Sequence, residues 1–166
     1  MALTTPISLV QRGFTANAGV TITLYPHSQM VNDSPVKTVS AYFSGPDATI
    51  VKGAAIATND VFQLISIPAG AFVIGVAVTL ITAEGGVCTF DIGDDATVDG
   101  YHNGLDGNGA IGVFSFDTDG TMTEAFGNGK FYAAANTIDL KLITGTAATV
   151  EVKLSATYIQ TTPLAV

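Results

Sequence analysis

Along the second half of the chain, apolar and polar residues alternate with the period of two that marks a β-strand covered on one face. The clearest stretches lie near the C-terminus. Residues 137–142 place Ile138, Leu140 and Leu142 on one face and Asp139 and Lys141 on the other. Residues 150–158 repeat the pattern, with Val150, Val152, Leu154, Ala156 and Tyr158 inward. Thr144-Gly145-Thr146 between them reads as a turn, and the two strands as a hairpin. On its wet face Asp139, Lys141, Glu151 and Lys153 would pair across the strands, each pair contributing about 0.2–1 kcal/mol.

Similar patterning continues upstream. Residues 61–67 alternate, Pro68-Ala69-Gly70 turns the chain, and 72–81 is apolar on both faces, as expected of a central strand covered on both sides. Glu84-Gly85-Gly86 offers the positive φ of a tight hairpin, so that 87–92 returns alongside. Residues 93–110 read as a loop rich in Gly and Asp. Short strands follow at 112–116 and 129–133, separated by a turn at 117–120. No segment carries a helical face, since the nearest, 52–58, is too short and contains Gly53.

The first fifty residues differ. Pro6, Pro26, Pro35 and Pro46 punctuate them, and only 20–25 alternates as a strand. The expected organisation is therefore an extended N-terminal arm over 1–50 and a body over 51–166. The expected fold class is all-β, an antiparallel β-sandwich or jelly roll carrying that arm. No internal repeat is evident.

Composition narrows the range of functions. Apolar residues make up 48% of the 166 and charged residues only 12%, about half the usual share. A surface with so few charges suits a protein that hides area against neighbours, as in a homo-oligomer or larger assembly. The formal net charge is −8, and the six cations, Arg12, Lys37, Lys52, Lys130, Lys141 and Lys153, are scattered. Nucleic acid is not expected as a partner without clustered cations to displace counterions. Anionic membrane surfaces are disfavoured for the same reason.

The uncharged run between Asp60 and Glu84 is long enough to raise a membrane span. Pro68 and Gly70 split it, its β-branched content favours strands, and its flanking charges are acidic, so two strands are the preferred reading. The first residues show no cationic, apolar leader pattern.

Candidate chemistry is sparse. Cys88 is the sole cysteine, set in an apolar alternation and read as a small buried residue. His27 and His102 fall in expected loops, belong to no catalytic motif, and are too few for a cupin-like metal centre. No catalytic residue and no cofactor are expected. One sharper pattern begins at Asp95. Asp95, Thr97, Asp99, Asn103 and Asp106, with Gly100 at the sixth position, partly match a twelve-residue calcium loop. Thr97 and Asp106 depart from that pattern, and the flanks are strand-like. Turn formation by Asp and Gly is the preferred reading, with no metal.

Further segments carry a family likeness. They are Ile67-Pro-Ala-Gly70, Glu84-Gly-Gly86, Asp91-Ile-Gly-Asp94, Asp99-Gly-Tyr101, Gly129-Lys-Phe-Tyr-Ala-Ala134, Thr137-Ile-Asp-Leu140, Thr146-Ala-Ala-Thr-Val-Glu-Val152 and Tyr158-Ile159. The series resembles small virion structural proteins of tailed bacteriophages. Within those it is most similar to capsid decoration (cement) proteins with a β-sandwich or jelly-roll body. The resemblance spans roughly residues 60–160. It implies a protein made in the host cytoplasm and bound in many copies to the capsid exterior, bridging major capsid protein subunits, with a homo-oligomer, most simply a trimer, as the body. The rival is a phage tail, fibre or host-surface binding module. Its tips would be Asp94, Asp95, Asp99, His102 and Asp106, with Tyr101, Phe114 and Phe126 as the nearby aromatics.

Overall fold

The structure, a computed structural model, describes residues 21–23, 35–114 and 125–160. Its strands are β1 (Thr21–Thr23), β2 (Val36–Ser44), β3 (Val61–Ile67), β4 (Ala71–Thr82), β5 (Cys88–Gly93), β6 (His102–Asp106), β7 (Gly112–Phe114), β8 (Lys130–Tyr132), β9 (Asn136–Gly145) and β10 (Glu151–Gln160). One helix, α1 (Gly45–Lys52), joins β2 to β3. The strands form two sheets, ordered β1-β3-β9-β5-β6 and β2-β10-β4-β7, with β8 also paired to β4. Every pairing is antiparallel except β1 with β3.

With β1 and β8 set aside, the pairs nest: β5 with β6, β4 with β7, β3 with β9, β2 with β10. That is one long antiparallel ribbon. Rolled up, it brings β10 beside β4 and β9 beside β5, giving a jelly roll. The all-β sandwich expected from the sequence is the fold observed.

The alternation sets which side chains enter the core. Ile138, Leu140 and Leu142 of β9 and Val152, Leu154 and Ala156 of β10 are all buried between the sheets. At the centre, Phe43 of β2 meets Phe62 of β3 with ring centroids 4.6 Å apart and Phe90 of β5 at 5.7 Å. Edge and tilted contacts of this kind add to the area that the rings hide.

The pairing corrects several expectations. β9 and β10 lie in opposite sheets, so they are not a hairpin, and Asp139 and Lys141 do not face Glu151 and Lys153. β4 and β5 are likewise in opposite sheets, and Glu84-Gly85-Gly86 carries the chain across the sandwich. Residues 93–110 are not all loop, because β6 pairs with β5. β4 is central but covered on one face only: Ile74 is 44% exposed on the other. The uncharged run from Asp60 to Glu84 is β3 and β4, and no helix among the described residues is long and apolar enough to cross a membrane.

Residues 36–50, read from the sequence as part of an extended arm, are instead β2 and the first six residues of α1. β2 pairs with β10 along nine positions, and Ala41, Phe43 and Ala48 are buried. The helix forms because Ser44 caps it, accepting from the Asp47 amide at 3.3 Å, while Pro46 sits in the first turn, where no helical N–H is required. Gly53 closes it in the left-handed region at φ 70°. The Lys52 ammonium then reaches the buried Asp60 carboxylate, fastening the helix to the start of β3. The strand expected at 20–25 is seen as β1. Residues 1–20 and 24–34 of the arm, with His27, and the expected turn at 117–120 lie outside the described residues.

Candidate functional site

Side chains pointing away from the core give each sheet an outer face. On the β2-β10-β4 sheet, register aligns them in rows. Val36, Ile159, Phe72 and Phe131 form an apolar row across β2, β10, β4 and β8. Val36 is 45% and Phe131 54% exposed, with Ile74 beside them. The next rows carry hydroxyls. The Thr38 and Thr157 hydroxyls lie 3.0 Å apart, and those of Ser40 and Ser155 2.8 Å apart. At the far end Tyr42, 57% exposed, aligns with Lys153, whose ammonium sits 5.7 Å from the ring centroid. There Thr82 donates to the Glu151 carboxylate at 2.8 Å. Lys153 and Glu151 are the charged side chains of this face among the described residues.

The other sheet turns acids outward. Its rows are Val61, Lys141 and Asp91, then Gln63, Asp139 and Gly93. A recess of about 220 Å³ opens there, lined by Val61, Gln63, Asp94, Asp95, Val98, Asp139 and Lys141. Asp94 is fully engaged: its carboxylate accepts from the Ala96 and Thr97 amides at 3.1 and 2.9 Å and pairs with the Lys130 ammonium. Burial raises the Asp94 carboxyl, but Lys130, Thr97 and Tyr132 outweigh it and leave it below its ordinary value. Lys130 in turn lies 3.9 Å from the Phe126 ring centroid. Asp95 accepts from the Asn136 amide group at 2.7 Å through Oδ1. Asp139 is buried, and its Oδ1 has no hydrogen-bond partner. Burial, then the charges of Asp95 and Asp94, push its carboxyl up to about 6 against a lowering by Thr137.

Similar backbones are found among solved structures. A chain of the capsid of Ralstonia phage GP4 aligns with TM-score 0.57 and 17% identity over 85% of this chain and 99% of that one. A chain of the cyanophage Pam1 capsid asymmetric unit gives 0.55 and 17%, covering 81% and 89%. A chain of the acidic stable capsid structure of Helicobacter pylori bacteriophage KHP30 gives 0.54 and 15%, covering 78% and 90%. The fold is one found in phage capsids. No protein-family model and no curated protein matches the sequence. The resemblance drawn from sequence segments and the likeness of these backbones agree at the level of this capsid fold.

Against that fold, the residues singled out from sequence separate. The calcium pattern is not one loop, since its last five residues are β6. Asp99 and Asn103 do come together, the Asn103 amide donating to Asp99 Oδ2 at 3.2 Å. Asp106 instead accepts from the Asn108 amide at 2.9 Å, and Asp95 faces Asn136. No group of three or more His, Cys, Asp or Glu among the described residues is placed to hold a metal ion. His102 lies in β6 rather than a loop, with both ring nitrogens shielded and unpartnered.

Tyr101 and Phe126 are not recognition tips. They are buried, with ring centroids 5.0 Å apart, and the Tyr101 hydroxyl is 3.0 Å from that of Tyr132. Phe114 closes β7, and its side chain lies outside the described set. The buried Cys88 thiol is pushed up to about 12 by burial, with Glu84 and Asp106 adding, so it stays protonated and unreactive at neutral pH.

The alternation placed Asp139 on the wet face of its strand but did not show that neighbouring loops enclose it. It also did not single out Glu84. That carboxylate accepts from the Ala148, Thr149 and Val150 amides at 2.9, 2.7 and 2.9 Å, clasping the β9–β10 connection.

Proposed function

We propose that this chain is a structural virion protein of a bacteriophage, one that binds the outer capsid surface and stabilises the shell by bridging major capsid protein subunits. The observation that carries the reading is the outer face of the β2-β10-β4 sheet: four strands wide, nearly uncharged, with an apolar row at one end and Tyr42 at the other. Such a face suits an interface core, where charged residues are depleted and aromatic ones enriched. The capsid origin of the three similar chains supports the virion setting.

The mechanism is architectural. Each copy lays this face on the shell, and weak contacts repeated by symmetry accumulate into a strong hold without any single strong site. Self-association, most simply as a trimer, would let one unit contact several capsomers at once. Stabilisation of the shell then follows from linkage, since a ligand that binds the assembled state alone shifts the equilibrium toward it. The proposed role is non-catalytic and asks no nucleophile or general base of the acidic face or of the buried Cys88.

Cosedimentation of the purified chain with shells that lack it tests the reading. Saturation at a fixed copy number, with raised thermal stability of the shells, is the expected result. Failure to bind shells, with binding to tails or host cells instead, would replace the proposal with the tail or host-surface module.

A further inference from the structure

Charged side chains are almost never fully buried without a partner, because removing a carboxylate from water costs several kcal/mol unless hydrogen bonds or an opposite charge replace the lost hydration. Asp139 breaks that expectation. It is 6% exposed and its Oδ1 has no hydrogen-bond partner, the Thr137 hydroxyl two residues before it offsetting the burial only in part. Asp139 and Thr137 belong to the outward face of β9, aligned with Gln63 and Ser66 of β3. Asp139 also lines the recess between β3, the end of β5 and the turn at 94–98.

The surroundings fix the sign of what is missing. Asp94 is satisfied by Lys130 and two amides. Asp95 uses one oxygen on Asn136, leaving Oδ2 for another donor. Lys141 stands at the rim and forms no ion pair among the described residues. The recess therefore gathers three carboxyls and one cation, with two carboxylate oxygens to spare.

The walls fix its shape. Val61 and Val98 present aliphatic surface, Val98 being 37% exposed. Apolar walls above a carboxylate floor match a side chain with a methylene stem and a charged head. A calcium ion would call for six to eight oxygens, and among the described residues no group of three or more His, Cys, Asp or Glu is placed to hold a metal ion. The volume, about 220 Å³, falls below the ~300–1,000 Å³ of pockets for drug-sized ligands.

We infer that this recess binds an aliphatic cation, a primary ammonium or guanidinium group on a methylene stem, with Asp139 and Asp95 receiving the head and Val61 and Val98 flanking the stem. The site lies on the sheet opposite the proposed shell-binding face and does not depend on it.

The test is a titration of the full chain, followed by amide chemical shifts, with 1,4-diaminobutane and with N-acetyl-arginine methylamide at constant ionic strength. The expected result is saturable shifts at Val61, Gln63, Val98 and Lys141 at pH 7.5, weakened about tenfold in Asp139→Asn and in Asp95→Asn. Binding should also weaken at pH 5, where Asp139 takes up a proton. Preference for the diamine would point to a free polyamine, and preference for the arginine amide to a partner's side chain; either supports the site. Shifts no larger than sodium chloride produces, shifts unchanged in Asp139→Asn, or tighter binding of calcium at the same residues would overturn it. Asp95→Asn, at an exposed position, keeps the test sound should the buried change disturb folding.

Discussion

The two sheets share one core yet turn opposite chemistry outward. On the β2-β10-β4 face, positions that could hold charges hold Thr38, Thr157, Ser40 and Ser155, bonded to each other in rows. On the β3-β9-β5 face the equivalent positions hold Asp91, Asp139 and Lys141. Inward positions are apolar in both sheets, mostly Val, Ile, Leu, Phe and Ala, so burial in the core does not set the outward difference. It teaches that strand alternation leaves the outward residues unspecified, and that they are where partners are chosen. One face is ready to lose its water at little cost, because hydroxyl pairs already satisfy each other. The other holds its water, or a cation, tightly.

The largest effect should come from making the first face resemble the second. Phe131→Asp, or Tyr42→Asp, places a carboxylate on an aromatic position at one end or the other of the proposed contact. Cosedimentation with shells should show binding weakened about 30-fold or more, since a buried aromatic contributes about 2 kcal/mol or more at an interface. Thermal unfolding should barely move, both residues being more than half exposed. Asp91→Asn on the opposite face should leave shell binding intact. Equal losses from both faces would dissolve the distinction.

Asp139→Asn sharpens the contrast from the acidic side. The folded carboxyl sits at about 6, above its ordinary 3.8, so the folded state holds the proton more tightly than the unfolded one. Stability is therefore highest below pH 3.8 as far as this group is concerned, and falls as the pH rises through 6. Denaturant titrations should find the variant more stable at pH 8, by up to about 3 kcal/mol, with the gain vanishing near pH 4.

Glu84 titrates in the reverse sense. Burial raises its carboxyl, but the Thr149, Ala148 and Val150 amides and the Thr146 hydroxyl outweigh that and hold it below 4.5. Its contribution is complete above pH 4.5 and is lost as the pH falls through the depressed folded value. Glu84→Ala should cost about 2 kcal/mol at pH 7, after discounting for partial exposure, as read by urea unfolding. The difference from the parent chain should shrink in acid.

Smallest is the hydroxyl ladder itself. Thr38→Val with Thr157→Val removes both members of an exposed pair and should change stability by about 0.5 kcal/mol or less. Its shell binding should stay within about threefold of the parent, because the replaced surface is still uncharged.

Much of this was legible residue by residue. Ile138, Leu140 and Leu142 announced the inner face of β9, and Val152, Leu154 and Ala156 that of β10, because a period of two needs only local text. Their partners were not legible. β10 pairs Glu151 with Ser44 and with Thr82, residues that no turn between them advertises. Proximity in sequence suggested hairpins where the ribbon instead crosses between sheets. α1 was hidden because Pro46 reads as a helix breaker until Ser44 is recognised as the cap in front of it. The recess was hidden for a related reason: Asp139 was placed on the correct face, but its enclosure comes from Asp94, Asp95 and Val98, on a turn that follows a different strand.

The insertion of β10 between β2 and β4 has a consequence for timing. Thr38 and Thr157, which touch across that seam, are 119 positions apart, and closing so long a loop makes folding slow. Until β10 takes its place, β2 and β4 have no common neighbour, and the rows that cross them do not exist. A chain in which β10 is not yet docked thus lacks the broad face altogether. The surface that the proposed contact uses is completed in one step, by a strand far in sequence from the first strand it joins.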